Sequence, residues 1–92
     1  MESKAKYIAD ILKTMSNEHR LLLLCALLEE DLTVSMLTAK TPDITQSAVS
    51  QHLSVLRDGG LIDSSKSGRE VTYFIKDKRI VSLIATLKDN FC

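Results

Sequence analysis

The chain lacks the features of a membrane-bound, secreted or non-specific nucleic-acid-binding protein. No apolar run approaches the ~20 residues that a helix needs to cross a bilayer. The charged start, Met1 to Ala9, and the short apolar run after it argue against a signal peptide. Basic and acidic side chains balance at 12 each, so there is no charge excess to hold nucleic acid without regard to sequence. We therefore expect a cytoplasmic chain that does not contact a membrane.

Aromatic residues are also scarce, at 4%, and there are only two cysteines. These lack a Cys-x-x-Cys spacing and a neighbouring base, which argues against a thiol oxidoreductase and predicts that the chain is not an enzyme. Internal repeats, low-complexity segments and linkers are absent. The 92 residues therefore predict one domain, residues 1–92. With 45% hydrophobic residues in so small a chain, a partner chain is expected to cover part of the apolar surface.

Helical spacing of apolar residues predicts helices in both halves of the chain. The first runs from about Ser3 to Met15. The second follows the capping residues Ser16 and Asn17, runs to about Glu30, and is apolar almost all round, as expected of a central core helix. Thr33 is expected to cap a short third helix, Val34 to Ala39, which a turn over Lys40–Ile44 follows. The last helix carries the apolar series Ile80, Ile84, Leu87 and Phe91 and ends at the C-terminus.

The segment that follows the turn is the most informative. Thr45 is expected to cap a fourth helix that reaches Arg57 or Asp58 and stops at Gly59-Gly60. One face is an apolar stripe, whereas the other carries short, neutral hydrogen-bonding groups and one arginine. A helix that enters a DNA groove needs this chemistry, because such groups match base edges and do not repel phosphate. The stripe is Val49, Leu53 and Leu56; the polar face is Ser47, Ser50, Gln51, Ser54 and Arg57.

A β-hairpin is predicted next, from Leu61 to Lys66 and from Glu70 to Lys76, joined at Ser67-Gly68. Together with the helices, it predicts a mainly α fold: a winged helix-turn-helix with five helices and a two-stranded wing. In that geometry the fourth helix lies in the major groove. Lys66 and Arg69, at the wing tip, are expected to contact phosphates rather than bases. Residues 32–92, which contain both elements, carry a net charge of +2, against −2 for residues 1–31.

Three blocks of the chain, MSNEHRLLLLCALL, ITQSAVSQHLSVLRDGGLI and GREVTYFI, resemble the ArsR family of winged-helix repressors. The resemblance implies a homodimer formed through the first and last helices. It also implies binding to an inverted repeat in double-stranded promoter DNA, and a change of affinity when an inducer is sensed. Helical periodicity places His52 at the side of the helix, where capping or packing would suit it equally well. The family's reading positions fall on Gln46, Ser47, Ser50, Gln51 and His52, with Arg57 nearby and Arg69 on the wing.

The metal ligands of many relatives are missing. The third helix, TVSMLTAK, contains no cysteine, and the last helix contains no histidine, so neither the thiolate site nor the histidine-carboxylate site is present. We expect no metal site and no cofactor. Instead, Cys25, in the second helix, and Cys92, at the end of the last, resemble the thiol-sensing HlyU-, BigR- and SqrR-like branch. That resemblance implies a dithiol switch that responds to oxidants or reactive sulfur.

Two alternatives to the dithiol switch remain open. Cys25 lies on a leucine-rich face and can be a small core residue, and Cys92 can be an inert terminal residue. In the first alternative, a regulator of the same fold would then respond to another effector or to a metal. The second alternative is a winged helix that binds proteins and not DNA.

Overall fold

The computed structural model describes residues 2–91, which form five helices and three short strands. The order along the chain matches the predicted order except for one added strand. The elements are α1 (Glu2–Met15), α2 (Glu18–Leu27), β1 (Leu32–Thr33), α3 (Val34–Ala39), α4 (Gln46–Asp58), β2 (Ile62–Ser67), β3 (Glu70–Ile75) and α5 (Lys78–Phe91). No helix in this described range is long and apolar enough to span a bilayer.

Side-chain caps fix where the helices of the helix-turn-helix begin. The Thr45 hydroxyl accepts a hydrogen bond from the Ala48 amide at 3.1 Å, and Thr33 does the same for Met36 at 3.2 Å. Each cap satisfies an amide that has no partner within its helix. After α4, Gly60 adopts a φ of 81°, a conformation that favours glycine. The predicted limits of α3 and α4 are therefore confirmed.

The sheet is antiparallel with β3 in the centre, in the order β1-β3-β2. The predicted hairpin is confirmed, but its turn lies one residue later than expected: Ser67 pairs with Glu70, so Gly68 and Arg69 form the turn. Gly68, with a φ of 62°, supplies the positive dihedral that a two-residue hairpin loop needs. The third strand, β1, pairs Leu32 with Tyr73. It was not predicted, because two residues are too few to show an alternating pattern.

The core lies between α2, α4 and the sheet. Leu23, Leu24 and Leu27 of α2 are buried, whereas Leu21 and Leu22 are 37% and 47% exposed. The prediction that α2 is a core helix therefore holds for one face only. The helix also ends three residues before the predicted Glu30, because the Leu28 amide bonds to the Cys25 carbonyl and tightens the last turn before β1.

Four residues form a joint that connects α1 and α2 to α4: Thr14, Arg20, His52 and Gly59. A Cβ atom built on Gly59, at the end of α4, would lie 2.7 Å from the Thr14 methyl group, so only glycine fits there without movement. The Arg20 Nε donates to the Thr14 carbonyl at 2.6 Å, and its Nη1 lies 3.5 Å from the His52 Nδ1 in α4. Arg20 thus touches both the end of α1 and the middle of α4.

Replacing Gly59 with alanine should destabilise the fold by roughly 1–3 kcal/mol, because the new methyl group forces Thr14 out of place. Urea unfolding measures the effect. In a Thr14→Ala background the two closest atoms, the Thr14 methyl carbon and hydroxyl oxygen, are gone, and only the Cβ of that residue remains, 3.3 Å away. The right-handed backbone at Gly59 (φ −76°) suits alanine, so the same substitution should cost much less. An equal cost in both backgrounds would show that the contact does not limit this position.

Lowering the pH should weaken the joint through His52. Partial burial lowers the pKa of His52 below 6.5, and the nearby Arg20 charge and His19 lower it further. The unfolded chain therefore binds more protons, so the free energy of unfolding falls as the pH drops through 6.5 towards the folded-state pKa. His52→Asn, which keeps an acceptor for Arg20, should lose less stability between pH 7.5 and 5. Thermal melts across this range provide the measurement, and identical losses in both proteins would contradict it.

Candidate nucleic-acid interface

Helix α4 separates its two faces as predicted. Val49, Leu53 and Leu56 are each 0% exposed and anchor the helix in the core. The other face reaches solvent along its length. Val55, 42% exposed, adds an apolar group to that surface which the polar pattern had not indicated. The exposed polar residues are the predicted Gln46, Ser47, Ser50, Gln51, Ser54 and Arg57, together with Asp58 at the end of the helix.

His52 packs against α2. Its ring is half-buried, with its centroid 5.7 Å from that of His19 and its Nδ1 beside Arg20. This is the packing arrangement that helical periodicity had left open for this residue. Contact between His52 and DNA stays a prediction.

Arg57 is the basic residue of α4 and is engaged within the chain. Its Nε lies 3.4 Å from the Asp63 Oδ1, in an ion pair that joins the end of α4 to the base of the wing. Asp63 was not among the predicted site residues. Nothing in the helical pattern could have indicated it, because the pair forms only when β2 folds back beside α4.

The wing carries its basic residues where the sequence indicated. Lys66 and Arg69 are exposed, and because the turn is Gly68-Arg69, Arg69 occupies the tip itself. An open cleft of about 530 Å³ separates the wing from the start of α3, with Met36 and Arg69 among its lining residues. The wing and the exposed face of α4 are therefore the two surfaces that present the predicted DNA contacts.

Cys25 is half-buried on α2 and packs at the edge of the core. The Lys88 ammonium of α5 donates to Glu29 at 3.1 Å, four residues after Cys25. The Glu29 hydrogen bond and charge raise the pKa of Lys88, and Cys25 adds a smaller contribution. Cys25 thus lies at the junction of α2 and α5. Cys92, its predicted partner, lies outside the described residues.

Within residues 2–91, no group of three or more His, Cys, Asp or Glu side chains is arranged to hold a metal ion. His19 and His52 are near each other, but the positively charged Arg20 guanidinium lies beside His52, which disfavours a metal cation between the two rings.

An apolar surface remains uncovered on α1 and α5. Tyr7, Ile8 and Leu12 of α1 are each half-exposed, and Phe91 of α5 is 82% exposed. Between the two helices runs a groove of about 400 Å³. An apolar surface of this kind is typical of a protein–protein contact.

Comparison with known proteins agrees with this geometry. The family model for "Bacterial regulatory protein, arsR family" matches residues 17–64, which include α2, α3 and α4. The "HTH-type transcriptional regulator YgaV" of Escherichia coli is 38% identical over the whole chain, which covers 93% of that protein. The "Transcriptional activator HlyU" of Vibrio cholerae is 36% identical, again over the whole chain.

Solved structures show the same fold. The structure of HlyU from Vibrio cholerae superposes with a TM-score of 0.94, covering 100% of this chain and 99% of that one, at 36% identity. The transcriptional repressor BigR from Xylella fastidiosa gives a TM-score of 0.89 at 33% identity, covering 100% of this chain and 93% of its own. The family model covers the helix-turn-helix, and the full-length similarities also include the wing. The chain belongs to the arsR family of bacterial transcriptional regulators.

Proposed function

We propose that the chain binds an inverted-repeat promoter site as a homodimer, with α4 in the major groove and the wing on the flanking backbone. The observation that carries the proposal is the outer face of α4: exposed, neutral and rich in hydrogen-bonding groups above a fully buried stripe. In a helix-turn-helix the second helix reads base edges through such groups. A DNA-binding role places the chain in the cytoplasm, with the nucleoid.

The homodimer is supported by the uncovered apolar surface. Tyr7, Ile8 and Leu12 would gain by burial against a second copy of α1 and α5, since removing apolar surface from water is favourable. Two copies related by a two-fold axis would present two recognition helices, which matches an inverted repeat with half-sites about one helical turn apart.

Selection from random duplexes, followed by affinity measurement on the selected sequence, tests the assigned surface. Ser50→Glu puts a negative charge on the groove-facing side of α4, so the affinity should fall by roughly ten- to a hundredfold. Arg69→Glu should weaken binding as well, because it replaces a phosphate contact with a like charge. Ser16 is exposed between α1 and α2, so Ser16→Glu, which adds the same charge as Ser50→Glu away from α4, serves as the control.

Unchanged affinity in Ser50→Glu and Arg69→Glu would show that the interface lies elsewhere. Failure of the wild type to select any duplex would favour the alternative, a winged helix that binds proteins.

We further propose that Cys25 and Cys92 form a dithiol switch that changes DNA affinity in response to oxidants or reactive sulfur. Support comes from the place of Cys25 at the junction of α2 and α5, because α5 also carries part of the proposed dimer surface. Cys92 enters the proposal through the sequence alone, in which it directly follows Phe91, the last residue of α5. The similarity to HlyU and BigR adds to this support.

Linking the two sulfurs requires their Cα atoms to approach within roughly 4.4–6.8 Å. A covalent link between α2 and the end of the chain would then change how the two protomers present their recognition helices, which is the coupling that a switch needs.

Intact mass and DNA affinity, measured on the same samples before and after diamide or inorganic polysulfide, test the switch. A disulfide removes two hydrogens, so the mass should fall by about two units, whereas a polysulfide bridge adds sulfur atoms. Either change should accompany altered affinity and should be absent from Cys25→Ser and Cys92→Ser. A link that forms without any change in affinity would reduce both residues to packing, and the effector would lie elsewhere.

A further inference from the structure

The ion pair between Arg57 and Asp63 lies where the proposed interface would need a cation. Arg57 lies in the last turn of α4 and is the only lysine or arginine within α3 and α4. Asp63 is fixed in place by two contacts. It pairs with Phe74 across the hairpin, and its Oδ1 accepts a hydrogen bond from the Ser64 amide at 2.8 Å. The guanidinium is therefore directed towards the base of the wing in the DNA-free chain.

This pair is open to exchange with an anion. The Arg57 side chain is 55% exposed and that of Asp63 is 41% exposed, so water screens their attraction and holds the pair weakly. A guanidinium binds carboxylate and phosphate with the same hydrogen-bonding geometry. A phosphate that reaches the end of α4 would thus compete with the Asp63 carboxylate for the Arg57 guanidinium.

We propose that Asp63 is an intramolecular competitor of the DNA backbone for Arg57. A phosphate replaces the carboxylate when DNA binds, and Asp63 then faces that phosphate as a like charge. Asp63 therefore lowers the affinity for every duplex and makes a larger share of binding depend on base contacts along α4. This inference rests on the proposed DNA-binding surface and adds to it a residue that limits affinity.

Four proteins test it: the wild type, Asp63→Asn, Arg57→Gln and the double variant. Asparagine keeps the acceptor for the Ser64 amide, so the strand keeps its local hydrogen bond. Affinity is measured by fluorescence anisotropy on the duplex selected by the wild type, and thermal melts verify folding. Asp58→Asn is the matched control, because it removes one charge from the same end of α4 outside the pair.

Asp63→Asn should bind DNA roughly three- to tenfold more tightly than the wild type. Asp58→Asn should give a smaller gain. In the Arg57→Gln background the Asp63→Asn gain should shrink to the size of that control, because there is no guanidinium left to release.

Three outcomes would overturn the inference. An equal gain with and without Arg57 would make Asp63 a source of general repulsion, and weaker binding by Asp63→Asn would mean that it presents Arg57 to DNA. Both leave the proposed DNA-binding surface intact. A wild type that selects no duplex would instead remove that surface and this inference together.

Discussion

The contact between Thr14 and Gly59 limits how closely α4 can approach α1. Because the end of α4 meets the Thr14 side chain at a distance that leaves no room for a Cβ atom on Gly59, α4 cannot move closer to α1 there without displacing Thr14. Arg20 strengthens the same joint by bonding to the Thr14 carbonyl and reaching His52 in α4. Since α1 also carries the exposed apolar groups that a second copy would cover, the joint connects the proposed dimer surface to α4, the proposed recognition helix.

The charges of the interface indicate how it would discriminate among sequences. The chain carries no net charge, and a surface with so few cations gains little from phosphate attraction alone. The exposed serines and glutamines of α4 offer hydrogen bonds whose value depends on the base that they meet. Asp63 acts in the same direction, since it occupies the one arginine of that helix in the DNA-free chain. Such an arrangement favours specificity over affinity.

Local patterns were sufficient to predict most of the fold. The cap at Thr45 and the stripe of Val49, Leu53 and Leu56 were sufficient to predict the limits and orientation of α4, because both signals are local to that one segment. The glycine at position 68 was sufficient to predict the hairpin of the wing, although the predicted turn lay one residue too early in the chain. What could not be predicted depends on contacts between distant segments: the two-residue strand β1, the exposure of Leu21 and Leu22, and the pairs of Arg57 with Asp63 and Arg20 with His52. Each of these is decided by which element packs beside which.

Hydroxyl-radical footprinting of the wild-type chain on its selected duplex is the most direct test of the proposed binding of a homodimer to an inverted repeat. Two α4 helices in successive major grooves, each with a wing beside it, predict two protected stretches about one helical turn apart, related by two-fold symmetry. A single protected stretch, or uniform protection along the duplex, would contradict the proposal that a homodimer reads an inverted repeat through α4.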